Sequence, residues 1–173
     1  INLPHLCDRA GVAFVQAEIV GVDSQRQDLL LHQRPALSFG VLSLDVGAVT
    51  RNLEHLSGVP IKPLEEALQF LSQQDPEDPQ PFRIVGAGPA GIEVALALRR
   101  RWPHRALELQ IRAGQLNATT RSILRRAHIH CVTDASAHAS LLCTGSRAPS
   151  WLANSGFAVD HNGRVLTNSF LQL

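Results

Sequence analysis

The stretch that decides the fold is Arg83–Glu93, which reads Arg-Ile-Val-Gly-Ala-Gly-Pro-Ala-Gly-Ile-Glu. Its three glycines have the GxGxxG spacing of a dinucleotide-binding turn. The apolar run Phe82–Val85 leads into the turn and predicts a buried strand, and Ile92–Arg101 leads out of it as a helix without a breaker. The motif therefore has the strand before it and the helix after it that phosphate binding requires.

Each glycine of this turn has a physical reason to be a glycine. Gly86 permits the tight turn, Gly88 lets the backbone come close to a pyrophosphate, and Gly91 lets the helix lie close to the strand. Pro89 and Ala90 lie between the last two glycines, next to the free N–H groups and the positive dipole end of the helix. We predict that these five residues bind a dinucleotide. The alternative is a glycine-rich turn that has no ligand.

The bulk composition is that of a soluble globular protein. Of the 173 residues, 45% are hydrophobic and 18% are charged, and the net charge is +1. No basic patch is interleaved with aromatic residues, which argues against nucleic acid as a partner. No apolar run approaches about 18 residues and no signal peptide is recognisable, so we predict no membrane span and a cytoplasmic location, with peripheral association with a membrane as the open alternative.

The cysteines and histidines give no catalytic signature. Cys7, Cys131 and Cys143 are far apart and form no CxxC or CxxxxC pair, so we interpret them as reduced core thiols. His128 and His130 have no acidic or cysteine partner at metal-like spacing, so no metal site is predicted. A GxSxG elbow is absent as well. We therefore expect no catalytic side chain here.

The secondary structure on both sides of the turn follows from periodicity and breakers. Upstream we predict a helix over Leu3–Ala10, three strands of an antiparallel meander within 12–22, 28–32 and 37–45, and a helix over Leu64–Gln73. The segment Asp75–Pro81, with three prolines and three acids, predicts a linker and a domain boundary. Downstream we predict strands over 107–111, 128–132 and 141–145, a helix over 119–127 capped by Asn117 or Thr119, and a hairpin within 156–168. Arg99–Arg101 is interpreted as a solvated helix end.

Together these segments resemble the pyridine nucleotide–disulfide oxidoreductase superfamily of flavoproteins, and most of all its type II NADH dehydrogenase and sulfide:quinone oxidoreductase branch. Besides the glycine turn, four other parts of the chain carry the likeness. They are residues 11–17 together with 42–47, residues 58–63, residues 142–149 together with 151–152 and 155–156, and residues 165–172. The sequence Leu-Ser-Leu-Asp-Val-Gly at 42–47 is most similar to that of the flavoprotein-like module that some proteins carry fused ahead of a selenide, water dikinase.

The resemblance implies an α/β fold of the Rossmann-like FAD/NAD(P)-binding type. It comprises a parallel sheet with helices and a small antiparallel β-meander, in a fragment of a flavoprotein with two dinucleotide domains. Residues 1–78 would belong to the FAD-binding domain, 79–145 would form the NAD(P)-binding domain, and 146–173 would return to the FAD-binding domain.

The resemblance also implies further cofactor-binding residues. Gly47 would end a strand beside FAD, and Thr144 and Gly145 would meet the cofactor at the end of the fourth strand. A plain strand-terminating glycine is the alternative for Gly145. Glu93 would lie near the nicotinamide amide and the flavin, although the dipole alone would favour a carboxylate on the first turn of a helix.

Arg112 bears on the choice of cofactor. About 20 residues after the glycines, an NAD-binding site has an acid that bonds the adenosine ribose, but this chain has Ile111-Arg112-Ala113 there. A guanidinium suits a 2′-phosphate by bidentate contact, so Arg112 favours NADPH. The alternative is an exposed arginine in a site that has lost its affinity for nucleotides.

The chain departs from the family at three places. The FAD fingerprint and the Gly-Asp flavin motif that the family has at its two ends are not in this sequence, so we expect residues 1–173 alone to bind FAD weakly. Only eight residues separate Val132 from Leu141, where the family has a β-hairpin.

By resemblance, the parent protein passes a hydride from NAD(P)H to FAD and then electrons to an acceptor. The acceptor and the oligomeric state stay open, with a quinone and a homodimer as candidates. The competing hypothesis is a non-catalytic dinucleotide-binding module that regulates a fused enzyme such as a selenide, water dikinase. A Rossmann scaffold that binds nothing is a third.

Overall fold

The computed structural model describes residues 2–51, 56–134 and 141–173. Its helices are α1 (Leu3–Arg9), α2 (Leu64–Ser72), α3 (Pro89–Arg101), α4 (Ala118–Arg126) and α5 (Trp151–Asn154). Its strands are β1 (Ile19–Asp23), β2 (Asp28–Leu31), β3 (Leu37–Ser38), β4 (Val49–Thr50), β5 (Val59–Pro60), β6 (Phe82–Val85), β7 (Leu107–Gln110), β8 (Ile129–Val132), β9 (Leu141–Leu142) and β10 (Ser146–Arg147). The chain divides into two compact units, residues 1–46 with 149–173 and residues 47–148.

The first unit is built on a three-stranded antiparallel sheet in the order β1-β2-β3. Ser155 holds α5 to this sheet, because its Oγ accepts a hydrogen bond from Val22 N (2.9 Å) and donates one to Trp151 O (2.7 Å). The predicted meander is confirmed, but its first and third strands are shorter than predicted. β2 is only four residues long, and it limits the length over which its two neighbours pair.

The second unit contains a five-stranded sheet in the order β5-β9-β6-β7-β8, in which every pairing is parallel. The second unit also contains a separate short antiparallel pair, β4–β10. The predicted α/β fold with a Rossmann-like parallel sheet is therefore confirmed. Of the two candidate caps of α4, Asn117 is the one used, since its side chain accepts from Thr120 N at 2.8 Å.

The parallel sheet packs an apolar core against one face and carries charged side chains on the other, beside the buried Val85 and Leu142. Alternate residues of β6, β7 and β8 share one core with residues of α2, α3 and α4; these strand residues are Phe82, Ile84, Leu107, Leu109 and Ile129. The residues between them, Arg83, Glu108 and His130, stand side by side in register on the opposite face. Arg83 is only 7% exposed, and its charge is compensated by Glu108, whose Oε2 lies 2.6 Å from Nη2.

The predicted linker over 75–81 lies inside the second unit, and Arg105 gives the physical reason. Its guanidinium donates to Asp75 O (2.8 Å), pairs with the Asp78 carboxylate (2.9 Å) and lies over the rings of Phe82 and Trp102 (5.2 and 5.1 Å). This arginine therefore ties the segment to the core. The two units divide at 46/47 and 148/149. The assignment of 1–78, 79–145 and 146–173 to cofactor domains stays a prediction.

The interpretation of all three cysteines as core thiols is wrong for Cys131. Cys143 is buried, Cys7 is half-buried on α1, and Cys131 is exposed. Cys131 belongs to β8, which is the last strand of the sheet and has no neighbouring strand on its outer side within residues 2–51, 56–134 and 141–173. The family hairpin expected between Val132 and Leu141 cannot be compared, because residues 135–140 lie outside the described residues.

The interpretation of Arg99–Arg101 as a solvated helix end is wrong for Arg99. Its guanidinium donates to carbonyl oxygens at the ends of both α3 and α4, at 2.9 to 3.1 Å; the acceptors are Trp102, Pro103, Arg105, Ala127 and His128. Arg100 and Arg101 are exposed. One arginine of the run thus fastens two helices, and the other two face solvent.

This difference predicts unequal effects within the arginine run. Arg99→Ala leaves several half-buried carbonyls without a donor and should lower the free energy of unfolding by about 2 kcal/mol. Arg100→Ala should change it by less than about 0.5 kcal/mol, because its side chain is exposed. Urea unfolding followed by circular dichroism measures both. Equal losses in the two variants would contradict the fastening role of Arg99.

Candidate functional site

A cavity of about 560 Å³ lies at the carboxyl ends of β6, β7 and β9 in the second unit. In open parallel sheets this edge is where ligands bind. Three of its walls come from the loops that follow these strands, and the segments around β4 and β5 supply the rest. The lining residues are Thr50, Arg51, Leu56, Ile61, Lys62, Val85, Gly86, Gly88, Pro89, Ala90, Gln110, Ile111, Arg112, Gln115, Cys143, Thr144, Gly145 and Ser146.

The N-terminus of α3 opens on this cavity. Gly88 is the N-cap residue, and no side chain caps the first N–H groups of the helix. α3 begins at Pro89, earlier than the predicted start at Ile92, and extends over 13 residues. Its first N–H groups and the positive end of its dipole can therefore act on an anion in the cavity.

The three glycines of the turn have different geometric roles. Gly86 has φ +106°, and a Cβ there would lie 2.3 Å from the carbonyl oxygen of Cys143. A Cβ at Gly91 would lie 1.8 Å from the carbonyl oxygen of Gly86. A Cβ at Gly88 would meet no atom within 4 Å. Gly86 and Gly91 thus allow close backbone packing, and Gly88 leaves the space above the turn open to a ligand.

The wall opposite the glycine turn is held by backbone contacts to two threonines. Thr50 is only 6% exposed, and its Oγ1 accepts from Lys62 N (2.9 Å) and donates to Lys62 O (3.3 Å). The Thr144 hydroxyl donates to Arg51 O, and Arg51 N donates to Gly145 O (2.9 Å). Thr144 and Gly145 both line the cavity, where the Thr144 hydroxyl bonds to the protein backbone, and their contact with a cofactor stays a prediction.

The lining carries cations and no carboxylate. Arg51, Lys62 and Arg112 all belong to it, and none of the described lining residues is Asp or Glu. The Oε1 of Gln110 is buried in this wall without a hydrogen-bond partner in the described part of the chain. Such a cavity favours an anionic ligand that also has a hydrogen-bond donor for Gln110.

Arg112 lies at the rim, two residues after β7 ends. Its backbone N donates to Gln115 Oε1 (2.9 Å), and Gln115 N donates back to Arg112 O (3.1 Å), which closes a tight turn. The guanidinium is exposed and has no partner among residues 2–51, 56–134 and 141–173. It is therefore available to a ligand that extends to this end of the cavity.

Lys62 is the functional candidate that the sequence interpretation missed. It is the only lysine among the 173 residues, whereas every other one of the 16 Lys and Arg residues is Arg. All the other basic positions have arginine, so the presence of the single lysine in the cavity lining marks Lys62 as a candidate for a specific role there. The signal was present in the composition, but only the structure shows where it lies.

The cofactor-binding roles of Glu93 and Gly47 stay predictions, and the interpretation of Cys143 as a buried thiol is confirmed. Glu93 is exposed on the second turn of α3, rather than the first, because the helix begins at Pro89. Neither Glu93 nor Gly47 belongs to the cavity lining. Cys143 does, but burial raises the pKa of its thiol to about 11. It is therefore a neutral thiol near pH 7 rather than a reactive thiolate.

No protein-family model and no curated protein matches the chain. Several solved structures have a similar backbone fold. The covalent complex of putidaredoxin reductase with putidaredoxin gives a TM-score of 0.75 at 17% identity, over 92% of this chain and 48% of that chain. A FAD-dependent pyridine nucleotide-disulphide oxidoreductase from Desulfovibrio vulgaris gives 0.67 at 17%, over 93% and 51%. The ferredoxin reductase for the CYP199A2 system from Rhodopseudomonas palustris gives 0.67 at 15%, over 90% and 47%.

The chain has the fold of the FAD-dependent pyridine nucleotide–disulphide oxidoreductases. The predicted resemblance to this superfamily is thereby confirmed at the level of the fold. The chain spans about half the length of these oxidoreductase structures. None of its described helices has the length and hydrophobicity of a membrane span, and the described residues contain no group of three or more metal-ligating side chains.

The glycine geometry predicts opposite outcomes for two similar substitutions. Gly86→Ala places a methyl group against the Cys143 carbonyl at a positive φ and should cost about 2–4 kcal/mol of unfolding free energy. Gly88→Ala meets open space at φ −73° and should cost less than about 1 kcal/mol. Urea unfolding of the two variants tests this. A Gly86→Ala protein as stable as Gly88→Ala would show that the turn is not closely packed.

Proposed function

We propose that this chain holds the NAD(P)H-binding region of an FAD-dependent pyridine nucleotide oxidoreductase that acts in the cytoplasm. The observation that carries the proposal is the cationic cavity at the carboxyl edge of the sheet, into which the glycine turn and the N-terminus of α3 open. Bound NAD(P)H would supply a hydride that FAD accepts, before the electrons pass to an acceptor such as a quinone.

The lining residues fit the parts of a dinucleotide. The pyrophosphate would lie over Gly88, at the N-terminus of α3, where the first N–H groups and the helix dipole favour negative charge. Lys62, fixed through its backbone by Thr50, would add a point charge from the opposite wall. Gln110 Oε1 would accept a hydrogen bond from a ribose hydroxyl, and Arg112 at the rim would contact a 2′-phosphate.

One observation favours a second candidate, a dinucleotide-binding module without redox activity that regulates a fused enzyme. Glu93, which the resemblance associates with the nicotinamide and the flavin, lies outside the cavity lining. Ile111 also occupies the neighbourhood where an NAD-binding site has its ribose acid. Both candidates require nucleotide binding. They differ in whether the full-length protein bleaches its flavin absorbance when NAD(P)H is added.

The first test is Gly88→Trp. The indole would occupy the path by which a pyrophosphate reaches the turn, while the fold stays intact because no atom crowds this position. Calorimetric titration should show NADH and NADPH affinities at least about tenfold lower than in the wild type, the loss expected for one charge-assisted contact. Gly40→Trp is the matched control, since Gly40 also faces open space and belongs to the first unit. Unchanged affinity in Gly88→Trp would mean that the turn is only structural.

Lys62 reports where the nucleotide binds. Because it is the only lysine, an amine-reactive acetylating reagent modifies one side chain, apart from the chain terminus. Saturating NADPH should slow the acetylation of Lys62, as followed by peptide mass spectrometry, whereas adenosine, which lacks phosphates, should protect it much less. Equal rates with and without NADPH would place the nucleotide away from this wall.

Arg112 predicts the choice of cofactor. A bidentate contact to the 2′-phosphate should make NADPH bind about tenfold more tightly than NADH, a modest value because the guanidinium is exposed. Arg112→Glu should reverse the order, and the preference should weaken as salt rises. Arg100→Glu makes the same charge change at an exposed position at the far end of α3 and should leave the order unchanged. Identical NADPH to NADH ratios in wild type and Arg112→Glu would make Arg112 a bystander.

A further inference from the structure

A second concavity, of about 700 Å³, lies between α4 and the edge strand β8, and we call it the α4–β8 groove. One face of α4 forms its first wall, with residues at spacings of three, one and three: Ala118, Arg121, Ser122 and Arg125. The consecutive residues His128–Cys131 form the second wall. The groove shares no lining residue with the cavity of the proposed function.

The charge of the α4–β8 groove is of one sign. Arg121, Arg125, His128 and His130 line it, and its described lining has no carboxylate. No Asp or Glu occurs anywhere between Glu108 and Asp134 in the sequence. The whole chain has a net charge of only +1 with histidine counted as neutral, so the positive charge of Arg121 and Arg125 is a local excess. A groove of this kind attracts an acidic ligand.

The second wall of the groove is an unpaired strand edge. β8 is the last strand in the order β5-β9-β6-β7-β8, and in the described ranges no strand pairs with its outer side. Such an edge presents backbone N–H and C=O groups that can pair with another extended segment. Binding by strand addition beside a helix is a known way for a domain to hold a peptide.

We propose that the α4–β8 groove binds an extended acidic segment of a partner protein, which adds as a strand to β8. Backbone hydrogen bonds to β8 hold the segment, and its carboxylates contact Arg121 and Arg125. The Nε of Arg121 already donates to Leu116 O at 3.4 Å, which leaves the terminal nitrogens for the partner. The described lining has no Phe, Tyr or Trp side chain, the large aromatic groups on which nucleobases stack, so single-stranded nucleic acid fits less well.

The test uses the whole chain and a fluorescein-labelled eight-residue peptide of alternating Glu and Val. Fluorescence polarisation should detect binding that Arg125→Glu weakens at least about tenfold. Arg126→Glu, the matched control, reverses an exposed charge on the next residue of α4, outside the groove, and should weaken binding less than about twofold. Ala118→Trp fills the groove without a change of charge and should also abolish binding. Circular dichroism checks that each variant is folded.

Two further measurements separate strand addition from simple charge attraction. A peptide N-methylated at every backbone nitrogen keeps its charge but cannot donate backbone hydrogen bonds to a strand edge, and it should not bind. The bound peptide should slow iodoacetamide alkylation of Cys131, which lines the groove, and leave that of Cys7 unchanged. The proposal is overturned if the methylated peptide binds equally well or if Arg126→Glu weakens binding as much as Arg125→Glu. It is also overturned if the peptide does not bind, including the case in which inorganic phosphate or an oligo-dT strand binds instead.

Discussion

The close approach of the glycine turn to the end of β9 is the constraint on which the second unit depends. A Cβ at Gly86 would lie 2.3 Å from the Cys143 carbonyl oxygen, and a Cβ at Gly91 would lie 1.8 Å from that of Gly86. Only glycine at both positions lets β6, α3 and β9 meet at this distance. Cys143 N in turn donates to Val85 O at 2.7 Å, which fixes the carboxyl ends of β6 and β9 side by side. The cavity exists because these three backbone segments converge.

The charged face of the parallel sheet is the second constraint. Parallel sheets are normally covered on both faces and therefore apolar on both. Here the helices contribute to one core, and the opposite face carries Arg83, Glu108 and His130 in register. The buried guanidinium of Arg83 is tolerable because Glu108 compensates its charge at 2.6 Å and Asp134 lies 3.5 Å from it. The alternation of Leu and polar residues along Leu107–Gln110 shows this one-sidedness in the sequence itself.

The longer strands and the helices of the second unit could be predicted because each depends on local pattern, whereas the two-residue strands β4, β5 and β10 were not predicted. The GxGxxG spacing, the alternation in β7 and the Asn117 cap act over a few residues, and the structure has all three. What could not be predicted depends on contacts between distant residues. Arg99 looks like its two neighbours in sequence, and only the meeting of the α3 and α4 ends makes it a carbonyl donor. Cys131 resembles a core residue until the strand order places it at the sheet edge. Lys62 is held at the candidate site because its backbone N–H donates to the side chain of Thr50, which belongs to a different strand.

The positions of the cations in the cavity indicate which phosphate group of a nucleotide each of them would contact in the proposed site. Lysine is a compact point charge, and arginine is a planar fork that suits a terminal phosphate with two exposed oxygens. In the proposed site, a pyrophosphate at the N-terminus of α3 would have helix N–H groups on one side, so a point charge from Lys62 on the other wall would complete its neutralisation without competing for the same oxygens. A 2′-phosphate at the rim would instead receive its hydrogen bonds from the fork of Arg112. The one lysine and the rim arginine therefore occupy the positions that their different geometries suit, which is the arrangement expected if the ligand has an internal diphosphate and a separate terminal phosphate.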